Sequence, residues 1–210
     1  MINFIILRHG LSKFNKARIF QGQYDVELDE IGVAQAERNA EYIVRNYRID
    51  KIVSSDLSRA YCTAKPIADR LGLPIETMKD LREIDVGRWS GCPIADIEKL
   101  FPEDYAHYRK SVGDSRPTGG ESLAELRARV KTAFERIAKE NDGKTVLVTT
   151  HGGVIRAIVA EWTGVPYDEM RSVPIVRNAS ITLATYDNGV ATFSQIGENA
   201  HLGDLATEGK

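Results

Sequence analysis

Short apolar runs alternate along this chain with longer stretches whose apolar residues recur every three or four positions. The first pattern is that of a strand buried on both faces, and the second that of an amphipathic helix. Residues 2–7, with the run Phe4-Ile5-Ile6-Leu7, and residues 145–149 are predicted as buried strands. Lys51-Ile52-Val53-Ser54 reads as a shorter strand, and residues 75–77 as another. Residues 30–47 are predicted as a helix with Val33, Ala36, Ala40, Ile43, Val44 and Tyr47 on its apolar face. A second helix covers 57–71, where Pro66 predicts a kink or a late start. The clearest helix is 122–141. Ser122 and Glu125 form a capping box, and Leu123, Leu126, Val130, Phe134 and Ile137 make the stripe. A further helix follows at 153–163, and Ile181 to Ile196 reads as a hairpin turning at Asp187-Asn188-Gly189. Residues 10–28 form a polar loop. Residues 80–118 are irregular, with one or two short helices near 94–110, and are a candidate insertion or lid. The alternation predicts one α/β domain with a largely parallel sheet and a hairpin at one edge.

Two of the predicted strands end alike. Phe4–Leu7 breaks into Arg8-His9-Gly10, and 145–149 breaks into Thr150-His151-Gly152-Gly153 with a helix following. Charged and polar groups are costly to bury without partners, so these residues belong at the strand ends. In open α/β sheets, ligands bind outside the carboxyl ends of the strands. If the two strands are parallel neighbours, both imidazoles meet at one edge, beside a helix N-terminus that favours an anion. The strand at 51–54 leads into Ser55-Asp56-Leu57-Ser58-Arg59, which puts Arg59 in or near the first turn of a helix. A cation there opposes the helix dipole unless an anion sits beside it. Two arginines and two imidazoles suit a phosphoryl group, whose oxygens match the guanidinium fork. Three other readings stay open on spacing alone. Each His could be an ordinary hydrogen-bonded surface residue, Arg59 a solvated helix residue, or the His-Gly corners a metal site. No Cys or second His stands at ligand spacing beside either corner. His107 and His201 have no such context.

Charge narrows the partners. The formal net charge is −2, which offers nothing to nucleic acid or to an anionic membrane surface. Two cysteines are too few for a disulfide framework, and the N-terminus lacks a signal-peptide pattern. No stretch reaches the length of a transmembrane helix. A reducing cytoplasm is the expected setting.

The assembled residues resemble the histidine phosphatase superfamily, the phosphoglycerate mutase-like proteins. Leu7-Arg8-His9-Gly10 with Ser12 and Asn15 resembles its opening signature, and Gln21-Gly22, Asp25, Leu28 and Gly32 continue it. Ser54 to Ala60 with Thr63-Ala64 resembles the second block, and Leu81-Arg82-Glu83-Ile84 with Gly87, Trp89 and Gly91 the third. Gly119-Gly120-Glu121-Ser122 and Thr150-His151-Gly152-Gly153 resemble the later ones. The resemblance implies one domain over residues 1–210. Its fold would be a three-layer α/β/α with a mostly parallel central sheet, an edge hairpin and a small helical lid at 85–118. It implies that His9 attacks phosphorus, that Arg8, Arg59 and His151 clamp the phosphoryl oxygens without a metal or other cofactor, and that Glu83 is the acid and base. Neutral His9 then needs an acceptor at its other ring nitrogen. Ser12, Asn15, Gln21, Gly22 and Gly152 would hold substrate oxygens.

Mutases of this family carry Arg-His-Tyr-Gly after the acid and Gly-Asn after the second His. This chain has Ile84-Asp85-Val86-Gly87-Arg88-Trp89 and Gly152-Gly153 there. That is similar to the phosphatase branch, so the expectation is a phosphomonoesterase acting on a small phosphorylated metabolite. The alternatives are a phosphoglycerate mutase and a non-catalytic phospho-ligand sensor. A homodimer is left open. Leu11 stands where the family often has Glu or Gln, and is expected to alter the pocket lining. Glu27 and Asp29 flank Leu28 with charge that would disfavour strongly anionic leaving groups. Tyr24, Trp89, Phe101, Tyr105 and Tyr108 are candidate lid aromatics or a small core of that segment.

Overall fold

The structure is a computed structural model that describes residues 1–110 and 115–207; residues 111–114 of the expected lid and 208–210 of the expected domain lie outside the described residues. In chain order the elements are β1 (Ile2–Arg8), α1 (Lys13–Ala17), α2 (Glu30–Asn46), β2 (Lys51–Ser54), α3 (Ser58–Leu71) and β3 (Ile75–Thr77). Then come α4 (Ile97–Leu100), α5 (Pro102–Lys110), α6 (Leu123–Glu140), β4 (Thr145–Thr150), α7 (Gly152–Thr163), β5 (Ile181–Asp187) and β6 (Val190–Glu198).

The strands form one six-stranded sheet in the order β3-β2-β4-β1-β5-β6. The first four are mutually parallel, and β5 and β6 add the expected antiparallel hairpin at the edge. Successive side chains on a strand face opposite ways, so an unbroken apolar run serves two layers. Phe4 and Ile6 pack with Val130, Phe134, Ile155 and Ile158 under α6 and α7. Ile5 and Leu7 pack with Ala40, Ile43, Ala64 and Ile67 under α2 and α3. The helix after β1 therefore lies on one face and the helix after β4 on the other. Because β1 and β4 are neighbours, a crevice opens between them at their carboxyl ends, the switch point where ligands bind in such sheets.

Three expectations need correction. The buried face of α2 is Gly32, Gln35, Ala36, Asn39, Ala40 and Ile43, turned from the predicted stripe; Val33 is exposed and Tyr47 caps the helix. Two amides are buried there because backbone groups satisfy them. Gln35 Oε1 accepts from Leu11 N at 2.8 Å, and Asn39 Nδ2 donates to Ala179 O at 3.1 Å. A Cβ on Gly32 would lie 2.0 Å from Leu11 O, so only glycine lets the loop after β1 approach so closely. Next, α3 starts at Ser58 and runs through Pro66. The carbonyl left without its N–H donor belongs to exposed Cys62, where water can satisfy it. Finally, the loop at 10–28 contains α1, capped by Ser12.

Residues 85–118 leave and rejoin the domain at one place. Glu121 N donates to Asp85 O at 2.8 Å, and Arg88 N to Thr118 O at 3.1 Å. Between these ends the segment has its own small core, in which Val86, Trp89 and Ile97 pack with Phe20, Phe101, Tyr105 and Tyr108.

Candidate active site

The parallel register pairs Arg8 with Thr150, so His9 and His151 stand opposite each other one residue past the ends of β1 and β4. Their ring centroids are 5.1 Å apart. Both rings are almost fully buried. His9 Nδ1 is 2.7 Å from Gly10 O, an acceptor only, so the ring N–H is at Nδ1 and Nε2 carries the free lone pair. The Gly10 carbonyl is itself held. Asn178 Nδ2 lies 3.3 Å from it and 3.2 Å from His9 O, and Gly10 N donates to Thr63 Oγ1 at 3.0 Å. Burial, then the charges of Arg59 and Arg8, push the His9 pKa well below its ordinary value. The ring is therefore neutral at physiological pH.

His151 is held neutral by the same causes, burial first and Arg59 next. Its Nε2 is 2.8 Å from Ser55 Oγ. That hydroxyl accepts the Leu57 N–H at 3.3 Å, so its own proton is available to Nε2. With Ser55 as donor to Nε2, the single N–H of His151 stands on Nδ1, which is buried and has no partner among the described residues.

The two arginines complete the surround. Arg59, at the second position of α3, is fully buried, and it donates to Tyr24 O and Gly22 O, each at 2.8 Å. Arg8 donates to Val176 O. Burial lowers each guanidinium to about 10, so both stay charged near neutrality. Nε of each is buried without a partner among the described residues. Unsatisfied donors, among the described residues, thus stand on Arg8 and Arg59, whose charges act on His9, and on His151, whose ring faces it. Native proteins leave few such groups unpaired, and an anion beside Nε2 would satisfy them.

Glu83 reaches this cluster from the loop after β3. Its Oε1 accepts from Ile84 N at 2.9 Å and its Oε2 from Gly153 N at 3.2 Å. Gly153 faces the carboxylate with no room to spare, since a Cβ there would lie 2.2 Å from Glu83 Oε1. The loop is clamped on both sides. Arg82 makes a two-point pair with Asp56, at 2.7 and 2.6 Å. Arg129 donates to Arg82 O and Asp80 O while pairing with Glu121.

The structure thus brings together His9, His151, Arg8, Arg59, Glu83 and Gly152; the last abuts Arg8, whose Cζ would lie 3.2 Å from a Cβ there. The oxygens of the other expected ligands are engaged with the protein, whereas the side-chain N–H groups of Asn15 and Gln21 make no hydrogen bond among the described residues. Ser12 Oγ caps α1 and contacts Asn15 Oδ1 at 3.0 Å and Gln21 Oε1 at 2.6 Å. Asn15 Oδ1 also accepts from Asn178 at 3.2 Å, and Gly22 O is held by Arg59. Leu11 is buried. Glu27 pairs with Lys13 and Asp29 with Lys16, so the charge expected to repel anions is neutralised. Trp89, Phe101, Tyr105 and Tyr108 pack into the small core of their segment, whereas Tyr24 is exposed. Sequence reasoning missed Asn178, Ser55, Thr63 and Arg129. Ser55 and Thr63 lay within quoted motifs; Asn178 and Arg129 had no local signal.

A model of the histidine phosphatase superfamily (branch 1) matches residues 4–199. Phosphoglycerate mutase-like protein 4 of Arabidopsis thaliana is 36% identical over 94% of this chain and 86% of its own length. Phosphoserine phosphatase 1 of Hydrogenobacter thermophilus is 31% identical over 99% and 98% of the two chains. Among solved structures, a mycobacterial glucosyl-3-phosphoglycerate phosphatase superposes with a TM-score of 0.83 at 31% identity, covering 94% of this chain and 99% of its own.

Proposed function

The chain belongs to branch 1 of the histidine phosphatase superfamily, and from that premise we propose that it hydrolyses small phosphate monoesters through a phosphohistidine on His9. The observation that carries this reading is the neutral His9, its Nε2 lone pair free, beside three buried donors that have no partner among the described residues. The relatives named as phosphatases support it, over nearly the full length of the chain.

In the first step the Nε2 lone pair attacks phosphorus. The ester P–O bond breaks and the leaving oxygen takes a proton from Glu83. Arg8, Arg59 and the Nδ1–H of His151 balance the phosphoryl oxygens, fixed in place before the charge develops. The two guanidinium charges and the helix N-terminus at Gly152 supply this stabilisation from the chain itself. In the second step Glu83 takes a proton from water, the resulting hydroxide attacks phosphorus, and the P–N bond breaks back to neutral His9. The products are an alcohol and inorganic phosphate. Residues 85–118 act as the lid on the leaving-group side, within one domain spanning 1–210. No helix among the described residues is long and apolar enough to cross a membrane. The free thiols Cys62 and Cys92 support a cytoplasmic setting.

The test is a rapid quench of the wild-type protein with p-nitrophenyl phosphate. We expect alkali-stable label on the His9 peptide and none in His9→Gln, which also releases no phosphate. Absence of label and of turnover with every ester tried would leave the sensor reading. Phosphoglycerate mutase turnover faster than hydrolysis would overturn the phosphatase assignment.

A further inference from the structure

We propose that Arg156 and Arg171 form a second anion subsite, which recognises a carboxylate carried by the leaving alcohol; this rests on the phosphatase reading above. Arg156 lies on α7 one turn after Gly152 and Gly153. Residues three and four apart share a helix face, and helical side chains lean toward the N-terminus. That face is the one against which Glu83 and Arg8 pack, as the close approaches to Gly153 and Gly152 show. The Arg156 stem is therefore directed to the side of the site where the leaving group departs.

Arg156 is half-buried, yet it makes no hydrogen bond or ion pair among the described residues, and its Nε is buried without a partner. Glu83, the carboxylate whose charge reaches Arg156, has both oxygens committed to Ile84 N and Gly153 N. Arg171 comes from the turn at Tyr167–Ser172. Its guanidinium lies 4.0 Å above the Tyr108 ring and donates to Tyr108 O at 2.7 Å, and its Nε is likewise buried and unpartnered. Burial lowers the Arg156 pKa and the charge of Arg171 adds to this, while Tyr108 and Glu83 oppose it. Two cations, the charge of Arg171 reaching Arg156 and each carrying an unsatisfied buried donor, are a costly arrangement that an anion beside them would relieve.

A carboxylate fits better than a second phosphoryl group. Its two coplanar oxygens match the guanidinium fork. It brings one negative charge beside Glu83, where a dianion would bring two. The substrate class is therefore a small monoester whose alcohol bears a carboxylate within a few bonds of the ester oxygen. Tyr108 belongs to the 85–118 segment, so this subsite joins the α7 face to the lid.

The experiment compares kcat/KM for O-phosphoserine with that for O-phosphoethanolamine, which lacks only the carboxylate. A site built around a polar group discriminates strongly against the analogue without it, so we expect wild-type protein to prefer O-phosphoserine by about 100-fold or more. Arg156→Gln and Arg171→Gln should each cut that ratio by at least about 10-fold, with melting curves showing that both variants fold. A wild-type ratio near one, or a ratio that neither variant changes, overturns the subsite. So does preference for a bisphosphorylated ester over O-phosphoserine. Hydrolysis of neither ester, with p-nitrophenyl phosphate still cleaved, also overturns it. Failure on all three overturns the phosphatase reading instead.

Discussion

Gly153→Ala isolates what the position of Glu83 contributes. The new Cβ would sit 2.2 Å from Glu83 Oε1 and 3.2 Å from Cδ. Clearing that contact takes a retreat of about 1 Å, and misplacement by this much costs about 100-fold in rate, or about 2.7 kcal/mol. The atom that moves is the end of a flexible, half-buried side chain, so the fold yields easily. The carboxylate gives up its Gly153 N–H bond, a loss of about 1 kcal/mol. Alanine in place of glycine in a helix returns up to about 1 kcal/mol. Stability should therefore stay within about 1 kcal/mol, read as a melting shift of a few degrees at most. The loss must depend on the leaving group. An alkoxide leaves only with a proton, whereas p-nitrophenolate needs little help. We expect kcat/KM to fall about 100-fold for an alkyl phosphate and less than about 10-fold for p-nitrophenyl phosphate. kcat/KM is the quantity to read, because it stops at departure of the alcohol and excludes the water step, where Glu83 acts as base. Equal losses on both esters, or no loss, would refute the assignment of Glu83 as the acid.

Two further outcomes are expected. His9 and His151 are held neutral in the fold and titrate near 6.5 when unfolded, so below pH 6.5 the unfolded state binds more protons. Stability should fall as pH drops from 6.5, with a slope of up to about 1.4 kcal/mol per pH unit for each ring. Denaturant melts should show His151→Gln with a smaller slope than the wild type, the remainder coming from His9 and the partly buried His201, and a flat profile from pH 7 to 5 in the wild type would refute the burial argument. Asn178→Ala removes the amide that fixes the carbonyls of His9 and Gly10. Quench-flow should show phosphorylation of His9 slowed about 10-fold, while inorganic phosphate still binds; an unchanged rate would show that the Gly10 carbonyl needs no such support.

The strand corners were legible because burial forces a contradiction. An apolar run cannot absorb Arg8-His9 or His151, so the break must lie at the sheet edge, and the family motifs then identified their partners. α6 was legible for a local reason: its cap and stripe lie within one contiguous segment. The α2 face was not. Gln35 and Asn39 look like solvent-facing residues until Leu11 N and Ala179 O, distant in sequence, become their partners. The same holds for Asn178, whose importance lies in carbonyls more than 160 positions away. Ser12 and Asn15 illustrate the converse. Motif resemblance marks them as ligands; the structure spends their side-chain oxygens on each other and on Gln21 and Asn178, and leaves Asn15 Nδ2 without a partner among the described residues.

The pair of backbone hydrogen bonds that joins Asp85 to Glu121 and Arg88 to Thr118 makes residues 85–118 a closed bight. Glu83 is held from outside the bight by the Arg82–Asp56 pair and by Arg129, and the bight itself touches the loop after α1 through Gly91, Cys92 and Ile94. Doubling the length of a flexible loop between fixed ends costs only about 0.6 kcal/mol. The part of the segment beyond its contacts with Arg18 and Phe20 can therefore be exchanged for one of another length or composition while the two histidine corners stay where they are. Phosphoryl chemistry and substrate choice are then separable traits of this chain, free to diverge at different rates and open to grafting one without rebuilding the other.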